Sequence, residues 1–196
     1  MTYNPRDHYF RKAKQENFAA RSVFKLEEID KKFKMFKPGQ TVLDLGASPG
    51  SWSQYASQKV GAKGRVLGVD LSPVTVKMEN AVFIQADLRD LNLEEIFVQH
   101  GFQPPFDLVL SDMAPKTTGI RMTDQARSME LCELALDVAR RFLKKDGHFV
   151  CKLFHSDDFS KLREEIKKSF NKFEAVKPDS TRKISKEIFL VGLGKK

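Results

Sequence analysis

A lysine stands in the middle of the apolar run His148-Phe149-Val150-Cys151-Lys152-Leu153-Phe154. Lysine is rarely buried without a partner, so Lys152 either snorkels from a strand end or is an amine kept for chemistry. A second apolar run, FDLVLSD, ends on Asp112, in Ser111-Asp112-Met113-Ala114-Pro115. If these two strands are neighbours in one sheet, the Asp112 carboxylate and the Lys152 amine lie side by side. Two other charges abut apolar sequence: Glu187 precedes Ile188-Phe189-Leu190-Val191, and Lys25 lies between Phe24 and Leu26. Spacing alone reads both as surface charges and does not join them to a site.

A third feature is the turn Asp44-Leu45-Gly46-Ala47-Ser48-Pro49-Gly50-Ser51-Trp52, which follows a short apolar strand and opens a helix. A glycine-rich turn there lets a ligand approach the backbone. Asp70 closes the next strand, where a carboxylate accepts hydrogen bonds from the ribose hydroxyls of an adenosine-type cofactor. Asp87 closes the third, where it can meet an adenine amino group. The turn is not GxGxxG, and Pro49 lacks the N–H that a pyrophosphate wants at a helix start. Carboxylates without a phosphate cradle suit a cationic cofactor, and S-adenosylmethionine with its sulfonium fits. Asp44 or Gly46 alone would only shape a turn. The loop together with Asp70 and Asp87 at successive strand ends points to cofactor binding. A nicotinamide dehydrogenase is disfavoured by the missing glycines.

These residues need a scaffold of alternating strands and helices. TVLDLG (41–46), RVLGVD (65–70), VFIQAD (82–87), FDLVLSD (106–112) and GHFVCKLF (147–154) read as buried strands. Helical spacing predicts helices over 17–34, 51–60, 93–100 and 123–145, and another carrying Phe159, Leu162, Ile166 and Phe170. Phe173 to Val176 and Ile188 to Leu193 close the chain as strands with only a loop between them, so the last can run antiparallel. The expected fold is α/β: a Rossmann-like, mostly parallel seven-stranded sheet with helices on both faces. Its ligands should bind beyond the carboxyl ends of the strands.

The length of 196 residues is that of one domain, with a basic helical segment over 1–37 and the Rossmann-like core over 38–196. Two cysteines, Cys132 and Cys151, sit in apolar runs as packing residues and form neither a disulfide framework nor a zinc pair. No signal peptide or spanning segment is apparent, and the chain reads as a cytoplasmic monomer. Residues 1–37 hold ten Lys/Arg and five Asp/Glu, and residues 161–196 hold eleven and five. Two basic ends around a mildly acidic middle make a footprint for a polyanion.

With these residues in place, the chain resembles the FtsJ/RrmJ family of RNA ribose 2′-O-methyltransferases, in particular its bacterial large-subunit rRNA branch. The likeness runs from about Ala20 to Gly194. It is carried by ARSVFKL, FKPGQTVLDLGASPGSWSQY, GRVLGVDL, ADLRD, SDMAP, FVCKLF and KPDSTRKISKEIFLVG. The resemblance implies a catalytic set of Lys25, Asp112, Lys152 and Glu187. It implies cofactor contacts from Gly50, Trp52, Asp70, Asp87 and Asp112, S-adenosylmethionine as donor, no metal, and 23S rRNA of the large ribosomal subunit as partner. There are two departures. Ser51 replaces a second glycine after Pro49, and Lys116 follows Met-Ala-Pro where asparagine is common. Neither touches the four catalytic positions.

The reaction would be in-line displacement, with a ribose 2′-oxygen attacking the methyl carbon. Lys152 would act as the base in its neutral form or, if charged, would steer the oxygen and stabilise developing negative charge. Asp112 would orient it. Competing expectations are a tRNA anticodon-loop ribose methylase, a small-molecule methyltransferase on the same fold, and a non-catalytic RNA-binding protein. Arg6, Arg11, Lys12, Arg21, Arg182 and Lys183 would hold phosphates, supplying affinity rather than sequence choice. RNA affinity should therefore fall steeply between low and moderate salt in a filter-binding titration, and a flat response would contradict the phosphate footprint.

Overall fold

Strands buried on both faces need unbroken apolar sequence, and the central strands have it. The computed structural model describes residues 8–90, 92–154, 159–182 and 184–196. Its elements in chain order are α1 (His8–Gln15), α2 (Val23–Phe33), β1 (Thr41–Leu45), α3 (Ser51–Val60), β2 (Arg65–Asp70), β3 (Ala81–Gln85), α4 (Leu93–Gln99), β4 (Phe106–Ser111), α5 (Arg121–Phe142), β5 (Leu143–Phe154), α6 (Ser160–Ser169), β6 (Phe170–Val176) and β7 (Glu187–Lys195). The seven strands form one sheet in the order β3-β2-β1-β4-β5-β7-β6. The pairs from β3 to β5 are parallel, and β7 runs antiparallel to both β5 and β6. The expected antiparallel closing strand is borne out. Strand order reverses between β1 and β4, the place where a ligand crevice opens in such sheets.

Each face of the sheet carries its own apolar layer. On one face Val42, Val66, Leu108, Leu110, Val150 and Phe189 pack with Phe24, Leu26 and Ile29 of α2 and with Trp52, Tyr55 and Ala56 of α3. On the other, Leu43, Leu67, Val109, Phe149 and Leu190 pack under α4, α5 and α6. Cys132 and Cys151 are buried free thiols of this second layer, as expected of packing residues. Among the described residues no helix is long and apolar enough to cross a membrane.

Three boundaries differ from the sequence reading, each for a local reason. The helix expected over 17–34 starts later, as α2 at Val23, and a separate helix α1 precedes it and ends at Gln15, with Asn17 between them at φ 59°. Asparagine tolerates the left-handed region, so it can end one helix before the next begins. The helix expected over 123–145 starts earlier and stops at Phe142. Leu143 pairs with Phe106 at the edge of β4, which pulls the end of the periodic segment into β5. The third strand stops at Gln85, so Asp87 lies in the turn beyond it.

The end of α2 is fixed by a buried acid. Asp30 Oδ1 accepts from the Met35 and Phe36 N–H groups at 2.9 and 3.2 Å, and Oδ2 accepts from the Tyr55 hydroxyl at 2.8 Å. Burial raises the Tyr55 phenol above its ordinary value, and the bond to Asp30 adds to this. Asp30→Ala would strand these donors, at about 1–3 kcal/mol each. We expect its melting temperature to fall by roughly 6–12 °C for a total near 3 kcal/mol. Asp30→Asn, which keeps an acceptor, should lose about half as much; equal losses would show that cavity formation rather than hydrogen bonding sets the cost.

Candidate active site

Strand periodicity places the charged residues on one face. Side chains two apart on a strand share a face, and paired residues across neighbouring strands do too. Leu110 pairs with Val150, both in the layer under α2 and α3. Two residues on, Asp112 and Lys152 point the same way. Lys152 pairs with Phe189 of β7, and Glu187 lies two residues before Phe189 on that face. The sheet therefore collects Asp112, Lys152 and Glu187 at its rim, and Lys25 reaches them from α2.

The contacts confirm this arrangement. Lys152 is 9% exposed. Its Nζ donates to Asp112 Oδ1 at 2.8 Å and to the Asp112 carbonyl at 2.5 Å. Lys25 Nζ is ion-paired with Glu187 Oε1, both side chains largely buried, and lies 5.9 Å from the centre of the Phe189 ring. All four implied catalytic residues thus fall into two ion pairs flanking Phe189. Sequence spacing read Lys25 and Glu187 as surface charges; the pairing of β5 with β7 is what draws them in. A snorkelling role for Lys152 is not what the structure shows, because its amine is held by Asp112 at the rim.

Beside Asp112 a cleft of about 580 Å³ runs along the strand ends, lined by Gly46, Asp70, Asp87, Met113, Leu131 and Leu134 among others. Gly46 has φ 78°, and a Cβ there would come within 2.8 Å of the Met113 backbone nitrogen, so only glycine lets the two loops meet. Asp70 accepts from Ser48 N at 2.9 Å and Ser72 N at 2.7 Å. Asp87 is held by Arg89, whose Nε and Nη2 donate at 3.0 and 2.5 Å, and this pairing lowers its carboxyl to about 2.

Gly50 and Trp52 stand differently from Asp70 and Asp87. Neither is on the wall of this cleft. Gly50 has φ 114°, and a Cβ would lie 2.2 Å from a methyl of Val76, in the connection between β2 and β3. Trp52 is 2% exposed, tilts against Phe189 at 5.7 Å and donates its indole N–H to the Ser22 carbonyl at 3.0 Å. What both can offer a ligand is backbone, at the first turn of α3, where N–H groups have no acceptor within the helix. Ser51, the departure from the glycine pattern, begins α3 and shares a hydrogen bond with Ser22 at 2.8 Å. It fastens α3 to the start of α2.

Sequence reasoning undervalued Asp44. This carboxylate is fully buried; Oδ2 accepts from Ser53 Oγ at 2.5 Å, and Oδ1 has no partner among the described residues. Burial raises its pKa to about 7, and the charges of Asp112 and Asp70 push the same way. The available signal was a charged residue inside the apolar run Thr41–Leu45.

A doubly wound sheet, a phosphate-averse cleft of carboxylates and a buried amine next to it define a Rossmann-type methyltransferase. Residues 18–195 match the FtsJ-like methyltransferase family, and the chain belongs to it. It is 89% identical over 196 residues, the full length of both chains, to a Bdellovibrio bacteriovorus protein named ribosomal RNA large subunit methyltransferase E. A Syntrophobacter fumaroxidans protein of the same name is 50% identical over 195 residues, covering 98% of each chain. A solved Plasmodium falciparum structure described as a ribosomal RNA methyltransferase superposes with a TM-score of 0.77 at 26% identity, over 91% of this chain and 98% of that one.

The folded chain binds the Asp44 proton more tightly than the unfolded chain does. Its contribution to stability is therefore greatest below pH 4 and is lost as pH rises through about 7. Melting temperatures should decline from pH 5 to 8 in the wild type, and Asp44→Asn should flatten that decline. Parallel slopes would show Asp44 ionised throughout.

Proposed function

We propose that this chain transfers the methyl group of S-adenosylmethionine to a ribose 2′-hydroxyl of large-subunit ribosomal RNA, with a uridine of 23S rRNA as the acceptor. The observation that carries the reading is the Lys152–Asp112 pair, an amine held at the strand rim beside the carboxylate cleft. The names of the relatives support the RNA class.

The residues present fit the donor. Asp44, Asp70 and Asp112 converge where the buried Asp44 Oδ1 lacks a partner, which favours a cationic ligand. S-adenosylmethionine, when bound, supplies an activated methyl group on a positively charged sulfur. Asp70 would hold its ribose hydroxyls and Asp87 its adenine amino group. Leu131, Leu134 and Met113 would hold the ring face, and the first turn of α3 at Gly50 and Trp52 would hold the amino-acid end.

Lys152 takes the acceptor's proton. In a neutral amine the two bonds to Asp112 would occupy both N–H hydrogens and leave the lone pair for the hydroxyl. Asp112 fixes that orientation through its side chain and its carbonyl. Glu187 holds Lys25, which places a cation at the rim, where negative charge develops on the oxygen. Arg21 and Arg182 line an adjoining cleft with Lys25, and this basic wall suits the flanking phosphates. Arg11 and Lys12 lie on α1; Arg6 and Lys183 lie outside the described residues.

The test is to incubate wild type, Lys152→Ala and Lys152→Arg with labelled donor and naked rRNA, large ribosomal subunits or tRNA, and to map the methylated sugar. Wild type should label a single ribose of large-subunit RNA. Lys152→Ala should lose about 10²–10⁴-fold in kcat while retaining donor affinity. Labelling of tRNA alone, or full turnover by Lys152→Ala, would overturn the reading.

A further inference from the structure

On the far side of the catalytic amine, the start of α5 and the start of β7 enclose a second cleft. It measures about 560 Å³ and is lined by Arg121, Asp124, Gln125, Phe154, Ser185 and Lys186. Phe154 is two residues beyond Lys152 on β5, hence on the same face, and it pairs with Glu187 across the sheet. Its ring is only partly buried. Exposed apolar side chains lie near it in sequence, although Ile184 lines the basic cleft of Arg21, Lys25 and Arg182. Ile120 (63% exposed) and Met122 (81%) bracket Arg121, and Ile184 (79%) precedes Ser185. Single exposed apolar residues are ordinary; what the cleft itself offers a flat ligand is the partly buried Phe154 on its wall. The polar groups of the cleft are mainly donors, Arg121 and Lys186. The Asp124 carboxylate accepts from the Thr118 N–H and hydroxyl and from the Gly119 N–H, so it shapes the 118–120 loop. Ser185 also lines the basic cleft of Arg21, Lys25 and Arg182, so the two clefts adjoin around the Lys25–Glu187 pair.

We infer that the Phe154 cleft holds the base of the nucleotide whose ribose is methylated. The base stacks on the Phe154 ring, and its polar edge meets Arg121 and Gln125. The inference rests on the proposed activity and extends it to how the acceptor is gripped. A ribose brought to Lys152 must send its base one way and its phosphates another. The apolar, aromatic cleft and the basic cleft lie on the two available sides. A base in this cleft is turned out of any helix it belonged to, and stacking on an aromatic ring replaces the stacking it gave up.

The test uses large-subunit RNA rebuilt by splinted ligation around a synthetic segment. That segment carries the natural base, an abasic ribose at the mapped position, or an abasic ribose one nucleotide to either side. Wild type, Phe154→Ala, Phe154→Leu and the surface variant Met122→Ser are compared by kcat/KM, with melting temperature and donor affinity as controls on folding. Wild type should lose about ten-fold or more on the abasic acceptor and little on the neighbouring ones. Phe154→Ala should lose a similar factor on natural RNA and nothing further on the abasic acceptor. Met122→Ser, a surface change outside the cleft lining, should behave as wild type on every RNA. Additive losses, or a wild type indifferent to the missing base, would overturn the cleft assignment and leave the proposed activity standing. A wild type that methylates none of these RNAs would instead overturn the activity on which the assignment rests.

Discussion

A primary amine inside a parallel sheet is held against the pull of water, and most of this structure answers to that. Lys152 would be costly in the layer between β5 and α2 if its nitrogen had no acceptor. Asp112 supplies two, one from its side chain and one from its backbone. That arrangement works only because β4 and β5 are parallel neighbours in a register that carries Leu110 beside Val150. A one-residue slip of β5 would turn Lys152 into the opposite layer, beside Val109 and Leu190, where Asp112 could not follow. The register of the central strands is therefore as much a part of the site as the charged groups.

The same parity explains the acidic wall. Asp44, Asp70 and Asp112 each sit at the end of a strand on the α3 side, and backbone geometry rather than attraction brings them together. Their mutual repulsion falls hardest on Asp44, the most deeply buried. Natural chains usually surround such a carboxylate with donors, but here one oxygen has none. Asp87, in contrast, is neutralised by Arg89 at the open edge of the cleft. The acidic wall is thus uneven: Asp44 carries the unmet demand at the buried end, while Asp112 and Asp87 are each held by a basic side chain.

Much of this was legible in the sequence, and the residues show why. The five strand runs and the turn at Gly46 announced the sheet and its crevice, because apolar runs and glycine turns are local signals. Asp112 and Lys152 could be paired because their strands are consecutive and parallel. Lys25 and Glu187 could not be placed by spacing, since their meeting depends on β7 inserting between β5 and β6, a long-range choice with no local mark. The resemblance to a family supplied what spacing withheld. The late start of α2 after the turn at Asn17 and the loss of the end of α5 to β5 were set by a single backbone angle and by a tertiary pairing. The buried demand at Asp44 was hidden for another reason: an acid before a glycine turn looks like ordinary turn chemistry.

The position of α2 has one more consequence. Beside the Lys25–Glu187 pair, Arg21 donates to the Ser180 carbonyl at 2.5 Å, and Glu28 accepts from the Asp179 and Ser180 N–H groups at 2.6 and 3.0 Å. One short helix near the start of the chain thus grips a segment more than 150 residues later. The strand that follows this segment is an interior member of the sheet, not an edge. A chain still emerging from the ribosome would hold its donor cleft ready while the acceptor side stayed unbuilt, because loop closure over such a span comes late. Synthesis itself would then delay the onset of catalysis.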